Sequence, residues 1–282
     1  MPKIDYASRE VASEWNQIWG AKQVESELGN IDVTSSLYKA VKGVLADVPP
    51  GGMVLEGGCG LGRWMLHFRG THKILGLERS EPALRALRDY NRELPLVRGD
   101  VFQLPLDSES VDLYFSFGVF EHFAGGPLEG LREASRVLRP GGTLFITGPG
   151  SGPLSLAYGM QGLARQRVLR RILGRPPING NGREFFQFRF SPKEMCEFLL
   201  EAGFRVRNIE RWGNLETLWQ YLPPLRHPAT RRFRQYHELV MSGRQERLTR
   251  PGTLLHRAVR RVAPWLFAYA WAIRATKSAN QH

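Results

Sequence analysis

One acid and four glycines open the argument. Glu56-Gly57-Gly58-Cys59-Gly60-Leu61-Gly62 follows the apolar stretch Met53-Val54-Leu55. Glycine has no Cβ, so such a loop brings bare backbone close to a ligand. A second acid, Glu78, ends "KILGLE", eighteen residues after Gly60. A third, Asp100, ends "LPLVRGD". A carboxylate after a second strand can accept both hydroxyls of a ribose. A short polar side chain after a third can accept from an exocyclic amine such as that of adenine. Any one of these acids alone reads as a surface carboxylate. Three at the ends of three successive strands read as a nucleoside site. His122, in "FEHF", is the best-placed general base, since imidazole titrates near neutral pH; the other reading is that it only packs beside the pocket. No set of Cys, His and Asp has metal-ligand spacing, so no metal is expected.

These residues need a frame, and the pattern from Met53 onward supplies one. "MVLEGG", "KILGLE", "LPLVRGD", "VDLYFSFG", "TLFITGP" and "FRVRNIER" read as strands, and "LFAYAWAIRAT" as a seventh. Helices fall between them. "SEPALRALRDYN" has Ser80 as N-cap and Pro82 in its first turn, and "PLEGLREASRVL" stops at the breaker "RPGG". "SPKEMCEFLLEAGF" carries a capping box, Ser191 with Glu194, with Pro192 at the first helical position. This alternation predicts a doubly wound α/β sheet. In such a sheet the ligand lies beyond the C-terminal ends of the strands, where the three acids fall. Residues 1–50 read as an N-terminal helical cap. Residues 51–211 and 265–282 read as the core, with 150–188 and 212–264 as basic helical insertions.

The glycine spacing separates two ligands. A dinucleotide fingerprint is G-x-G-x-x-G. Here the series is Gly58-x-Gly60-x-Gly62, and the position of the third dinucleotide glycine holds Arg63. A loop with no pyrophosphate to bind can be shaped around an amino-acid moiety. The segments "VLEGGCGLGRW", "LGLERS", "VRGDVFQLPLDSESVDLYFSFGVFEHF", "LRPGGTLFITGP" and "FSPKEMCEFLLEAGF" together resemble a class I S-adenosylmethionine-dependent methyltransferase. They are most similar to the group that includes the ubiquinone/menaquinone-type and natural-product methyltransferases. The resemblance runs from about Met53 to Arg211, with a final strand near 266–276. It implies a Rossmann-like sheet of seven strands with the last antiparallel, and S-adenosylmethionine as cofactor. It also implies that Glu56, Gly58, Gly60 and Gly62 surround the methionine portion and that Glu78 holds the ribose, with Arg79 beside the adenine. Asp100 and Val101 would contact the adenine edge, and Phe117 and Gly118 line the methionine side. The pair Gly57-Gly58 departs from the usual pattern, with little effect expected. So does the length of 212–264, where the family says nothing reliable about substrate.

Charge points to the acceptor side. The formal net charge is +12, and the two insertions hold all of it. Arg165, Arg167, Arg170, Arg171 and Arg175 stand between Gly150 and Gly182 with no acid, and ten arginines face three glutamates between Trp212 and Pro264. Arginine suits phosphate or carboxylate. "LARQRVLRRIL" and "TLLHRAVRRVAPW" are basic and amphipathic, which fits either an anionic membrane surface or an apolar face packed on the domain. No RNA-binding module is recognisable, so a nucleic-acid acceptor is not expected. Two separated cysteines, no basic leader and no long uninterrupted apolar run fit a cytoplasmic protein, with peripheral membrane contact open. The expected function is methyl transfer to a small-molecule acceptor, anionic or lipid-linked: O-methylation of a natural product, sugar or lipid-linked intermediate. The alternatives are C-methylation of a quinone or lipid at a membrane surface, and a non-catalytic S-adenosylmethionine-binding partner module.

Overall fold

A computed structural model describes residues 3–8, 19, 24–28, 31, 33, 35–150, 183–212, 228, 248–263, 268 and 270–278. Strand β1 (Lys3–Ser8) precedes helices α1 (Val24–Leu28) and α2 (Ser36–Ala46). Then β2 (Val54–Gly57), α3 (Arg63–Phe68), β3 (Ile74–Glu78), α4 (Glu81–Tyr90), β4 (Leu96–Arg98) and β5 (Val111–Phe117) alternate. They are followed by α5 (Leu128–Val137), β6 (Leu138–Pro149), β7 (Arg183–Arg189), α6 (Pro192–Glu201), β8 (Phe204–Trp212), α7 (Arg250–Val262) and β9 (Ala270–Lys277).

Seven strands form one sheet in the order β4-β3-β2-β5-β6-β9-β8. The first five are parallel, and β9 lies antiparallel between β6 and β8. The α/β sheet with its reversed last strand is therefore as expected. Helices cover both faces, so consecutive strand residues enter two different cores. Val54 and Ile74 pack with α2 and α3, while Leu55 and Leu77 pack with α5 and α6. All four residues of β2 are buried, as a central strand covered on both faces requires. Burying each such aliphatic side chain contributes about 1.5–3 kcal/mol. The expected caps form. Ser80 Oγ accepts from Ala83 N–H, and at Ser191 the capping box is complete.

Two expectations need correction. The N-terminal region is not wholly helical, because Lys3–Ser8 is a strand. The insertion at 150–188 is not wholly helical either, because Arg183–Arg189 is the strand that pairs with it, antiparallel. "REFFQFR" is rich in aromatic residues that favour extended backbone, and β1 supplies its hydrogen-bonding partner. The expectation that 150–188 and 212–264 cover an acceptor site falls mostly outside the described residues. Among the described residues, no helix is long and apolar enough to cross a membrane.

Candidate donor and acceptor site

The parallel strands β2 to β5 all end at one edge of the sheet, and a cavity of about 500 Å³ opens there. The turn after β2 is held against β3. Gly58 and Cys59 N–H both donate to the Leu77 carbonyl, at 2.8 and 3.0 Å. Gly58 and Gly60 take positive φ values of 72° and 53°, which a side chain would strain. At Gly60 space is also short, since an added Cβ would lie 2.8 Å from the Trp19 ring. Gly62 is the left-handed N-cap of α3 and packs towards Leu87. Gly60 and Gly62 thus shape the turn, whereas Gly58 lines the cavity. The pair Gly57-Gly58 matters more than its sequence suggested. The Tyr114 hydroxyl lies where a Gly57 Cβ would be, so only glycine fits under it.

Three carboxylates from three strand ends meet the cavity. Glu56 is buried, and its Oε2 accepts from Met65 N–H at 2.8 Å. Burial pushes its pKa up to about 8, the nearby Glu78 carboxylate adds to this, and the Met65 hydrogen bond and Arg63 oppose it. Glu78 is buried. Oε2 accepts from Gly60 N–H, and Oε1 from Arg79 and Ser80 N–H, each at 2.8 Å. A carboxylate has about four acceptor sites, so roughly one remains for a ligand. Asp100 Oδ1 accepts from Phe102 N–H, and Oδ2 lies 3.7 Å from Arg79 Nη1. Arg79 and Val101 line the same cavity. Burial, with Glu56 and Glu78 adding to it, raises the Cys59 thiol, which stays protonated and packs in the core.

The opposite wall comes from β5 and the turn after it. Phe117, Gly118, Val119, His122 and Phe123 line it, and His122 closes the 3₁₀ turn Phe120–His122. The ring of Trp64 stacks on Phe117, centroids 5.0 Å apart, giving this wall an apolar face. Every expected site residue except Gly60 and Gly62 lines the cavity. His67 and His72 instead have structural surroundings: His67 Nε2 lies 3.3 Å from the Tyr38 hydroxyl, and His72 Nε2 lies 3.1 Å from the Leu45 carbonyl. Among the described residues, no group of three or more His, Cys, Asp or Glu could hold a metal ion.

Sequence reasoning missed Trp19, Glu27, Arg63 and Glu121. Arg63 and Glu27 form an ion pair at the cavity, which brings α1 against the start of α3. Trp19 and Glu27 carry no motif; only Arg63, standing where a dinucleotide glycine was absent, gave a signal. Glu121 sits beside His122, with its carboxyl under Gly118. Burial pushes it up to about 8, against the pull of Arg189 in β7. The sequence showed the acid but not that it would be buried.

Residues 55–146 match the model of a family described as a methyltransferase domain. The chain is 29% identical over 190 residues to a 37.1 kDa protein in transposon TN4556 of Streptomyces fradiae, covering 65% of this chain and 52% of that one. It is 32% identical over 117 residues to the Mus musculus protein named "probable tRNA methyltransferase 9B", covering 41% of this chain and 26% of that one. The chain thus spans from about a quarter to about half of the length of these curated relatives. Its fold is similar to the structure of the complex between the Haloferax volcanii Trm112 methyltransferase activator and a methyltransferase, with TM-score 0.58, 20% identity, and coverage of 98% of this chain and 100% of that one. With the glycine turn, the strand-end acids and the reversed last strand, these matches show the fold: the seven-stranded sheet is that of the class I S-adenosylmethionine-dependent methyltransferases, and residues 55–146 match a methyltransferase-domain model.

Proposed function

We propose that the chain transfers a methyl group from S-adenosylmethionine to the hydroxyl of a small-molecule acceptor. The observation that carries this reading is the single cavity edge shared by Glu56, Glu78, Asp100 and His122. The residues fit the donor. The turn at Gly58 presents backbone without a Cβ, Glu56 matches an ammonium, Glu78 keeps an acceptor site for a ribose hydroxyl, and Asp100 with Val101 matches the adenine edge. When bound, the cofactor supplies a methyl group on a sulfonium; it would give that methyl to the acceptor oxygen with the sulfur as leaving group, and so depart as the neutral thioether S-adenosylhomocysteine. His122 takes the hydroxyl proton. The wall of Trp64, Phe117 and Phe123 keeps water from the reacting atoms, and alignment of the two substrates accounts for roughly 7–11 kcal/mol of the barrier.

A second reading has a relative named for tRNA behind it, over 117 residues. Methyl transfer from labelled donor into the lipid, water-soluble small-molecule and RNA fractions of an extract separates the two. Label in small molecules or lipids supports the first reading; label in RNA alone supports the second. A protein that fails to bind the donor by calorimetry loses both.

A further inference from the structure

Among the described helices, α7 turns the largest group of apolar residues to solvent. By helical spacing Leu254, Leu255, Ala258, Val259 and Val262 share one face of "TLLHRAVRRVAPW". The structure divides that face. Val259 is buried at 8% exposure, whereas Leu254 is 66% and Val262 81% exposed. Ala258 is exposed as well, and Leu255 stands at 36%. At about 100° per residue, Leu254, Ala258, Val262 and Leu255 form a stripe about 100° wide. Arg250, Arg257 and Arg261, all exposed, fall within the adjoining arc of about 40°. The helix contains no acid. Its start is fixed, since Thr249 Oγ1 accepts from Gly252 N–H at 3.2 Å.

We propose that α7 docks the protein on an anionic lipid surface, with the leucine–valine stripe in the acyl boundary and the arginines at the headgroups. Charge complementarity selects this occupant. A helix on RNA would gain from the arginines but leave the stripe in water, whereas a lipid surface takes both at once. The placement also gives the docking a purpose. Eight residues after Val262, β9 begins at Ala270, which pairs with Pro149 and Trp212. That is the sheet edge onto which the cavity opens, and eight residues reach at most about 28 Å. A docked α7 therefore holds the cavity near the bilayer, and the acceptor is an amphiphile resident there. As a statement about the acceptor, this rests on the methyl-transfer reading; the docking itself does not.

The test is flotation of the full chain with vesicles of phosphatidylcholine, with and without phosphatidylglycerol, alongside calorimetric titration of the donor. Binding is expected only to the anionic vesicles. Arg257→Gln and Arg261→Gln should each lower partitioning about fivefold. Leu254→Ser and Val262→Ser should each lower it roughly tenfold. All four variants should bind the donor as the parent does. No binding to anionic vesicles, or binding indifferent to the Leu254 and Val262 changes, overturns the docking. Displacement by tRNA, with the leucine and valine variants unaffected, assigns the face to nucleic acid and overturns it too. Vesicle binding without donor binding sinks the methyl-transfer reading alone.

Discussion

If Glu56 receives the donor's ammonium, donor binding must carry a proton signature. With its pKa raised to about 8 by burial, Glu56 holds a proton in the free protein at neutral pH. The cation needs the carboxylate, so binding must expel that proton. Below the pKa the ionised fraction grows almost tenfold per pH unit, each unit being worth about 1.4 kcal/mol. For a pKa of about 8 it is about 3% at pH 6.5 and about a quarter at pH 7.5. Donor affinity should therefore rise about eightfold between those values, equivalent to about 1.2 kcal/mol. The donor's own α-amino group titrates near 7.7–8.0 in ordinary amines, at the upper edge of this window.

Glu56→Gln isolates the effect. Glutamine keeps the size and can still accept from Met65 N–H, but it does not ionise. The variant should bind more weakly at pH 7.5 and lose most of the slope. Calorimetry in two buffers of different ionisation enthalpy should count close to one proton released by the parent at pH 6.5 and fewer by the variant. A parent whose affinity is flat from pH 6.5 to 7.5, or a variant that keeps the full slope, refutes the placement of the ammonium against Glu56.

Three further outcomes test the site. His122→Ala should lower turnover of a hydroxyl acceptor by about 10²–10⁴ and leave donor affinity nearly unchanged if the imidazole is the base, as single-turnover kinetics would show. Gly60→Ala should destabilise the fold by about 1–3 kcal/mol in denaturant, since a left-handed alanine costs about 1–2 kcal/mol before its Cβ meets Trp19. Glu121→Gln probes the second buried acid. Its proton is retained in the folded chain but released by the unfolded one above the usual value of 4.5, so the stabilisation it brings is complete below that pH and gone by about 8. The variant should therefore gain stability relative to the parent between pH 5 and pH 8, and an equal difference at both would show Glu121 already ionised.

The parts of the fold that could be read from the sequence were those with a local cause. Ser80 and Ser191 mark helix starts because a cap is satisfied within three residues, and both formed as expected. The strand-end acids were legible because β2, β3 and β4 are short and end at glycine-rich or polar turns. The pairing of Lys3–Ser8 with Arg183–Arg189 was not, because its partners lie far apart in sequence and neither strand joins the main sheet. Tyr114 against Gly57 was hidden for the same reason: the requirement for glycine comes from a side chain on another strand.

Position 63 joins the two kinds of information. A dinucleotide fold needs glycine there so that helix and strand can pack closely. This chain has arginine, and the structure gives the departure a use. The guanidinium pairs with Glu27, a carboxylate almost wholly removed from solvent, and its field helps to hold down the pKa of Glu56. Losing a buried ion's partner costs more than the pair contributes, so α1 is held at the cavity by the need of Glu27 for a counter-charge. Trp19 lies over Gly60, and with Glu27 it lines the cavity beside the glycine turn proposed to meet the amino-acid end of the donor. The position that argues against a dinucleotide thus supplies part of the cavity wall: Arg63, standing where the fingerprint has glycine, holds Glu27 and with it α1 beside the glycine turn.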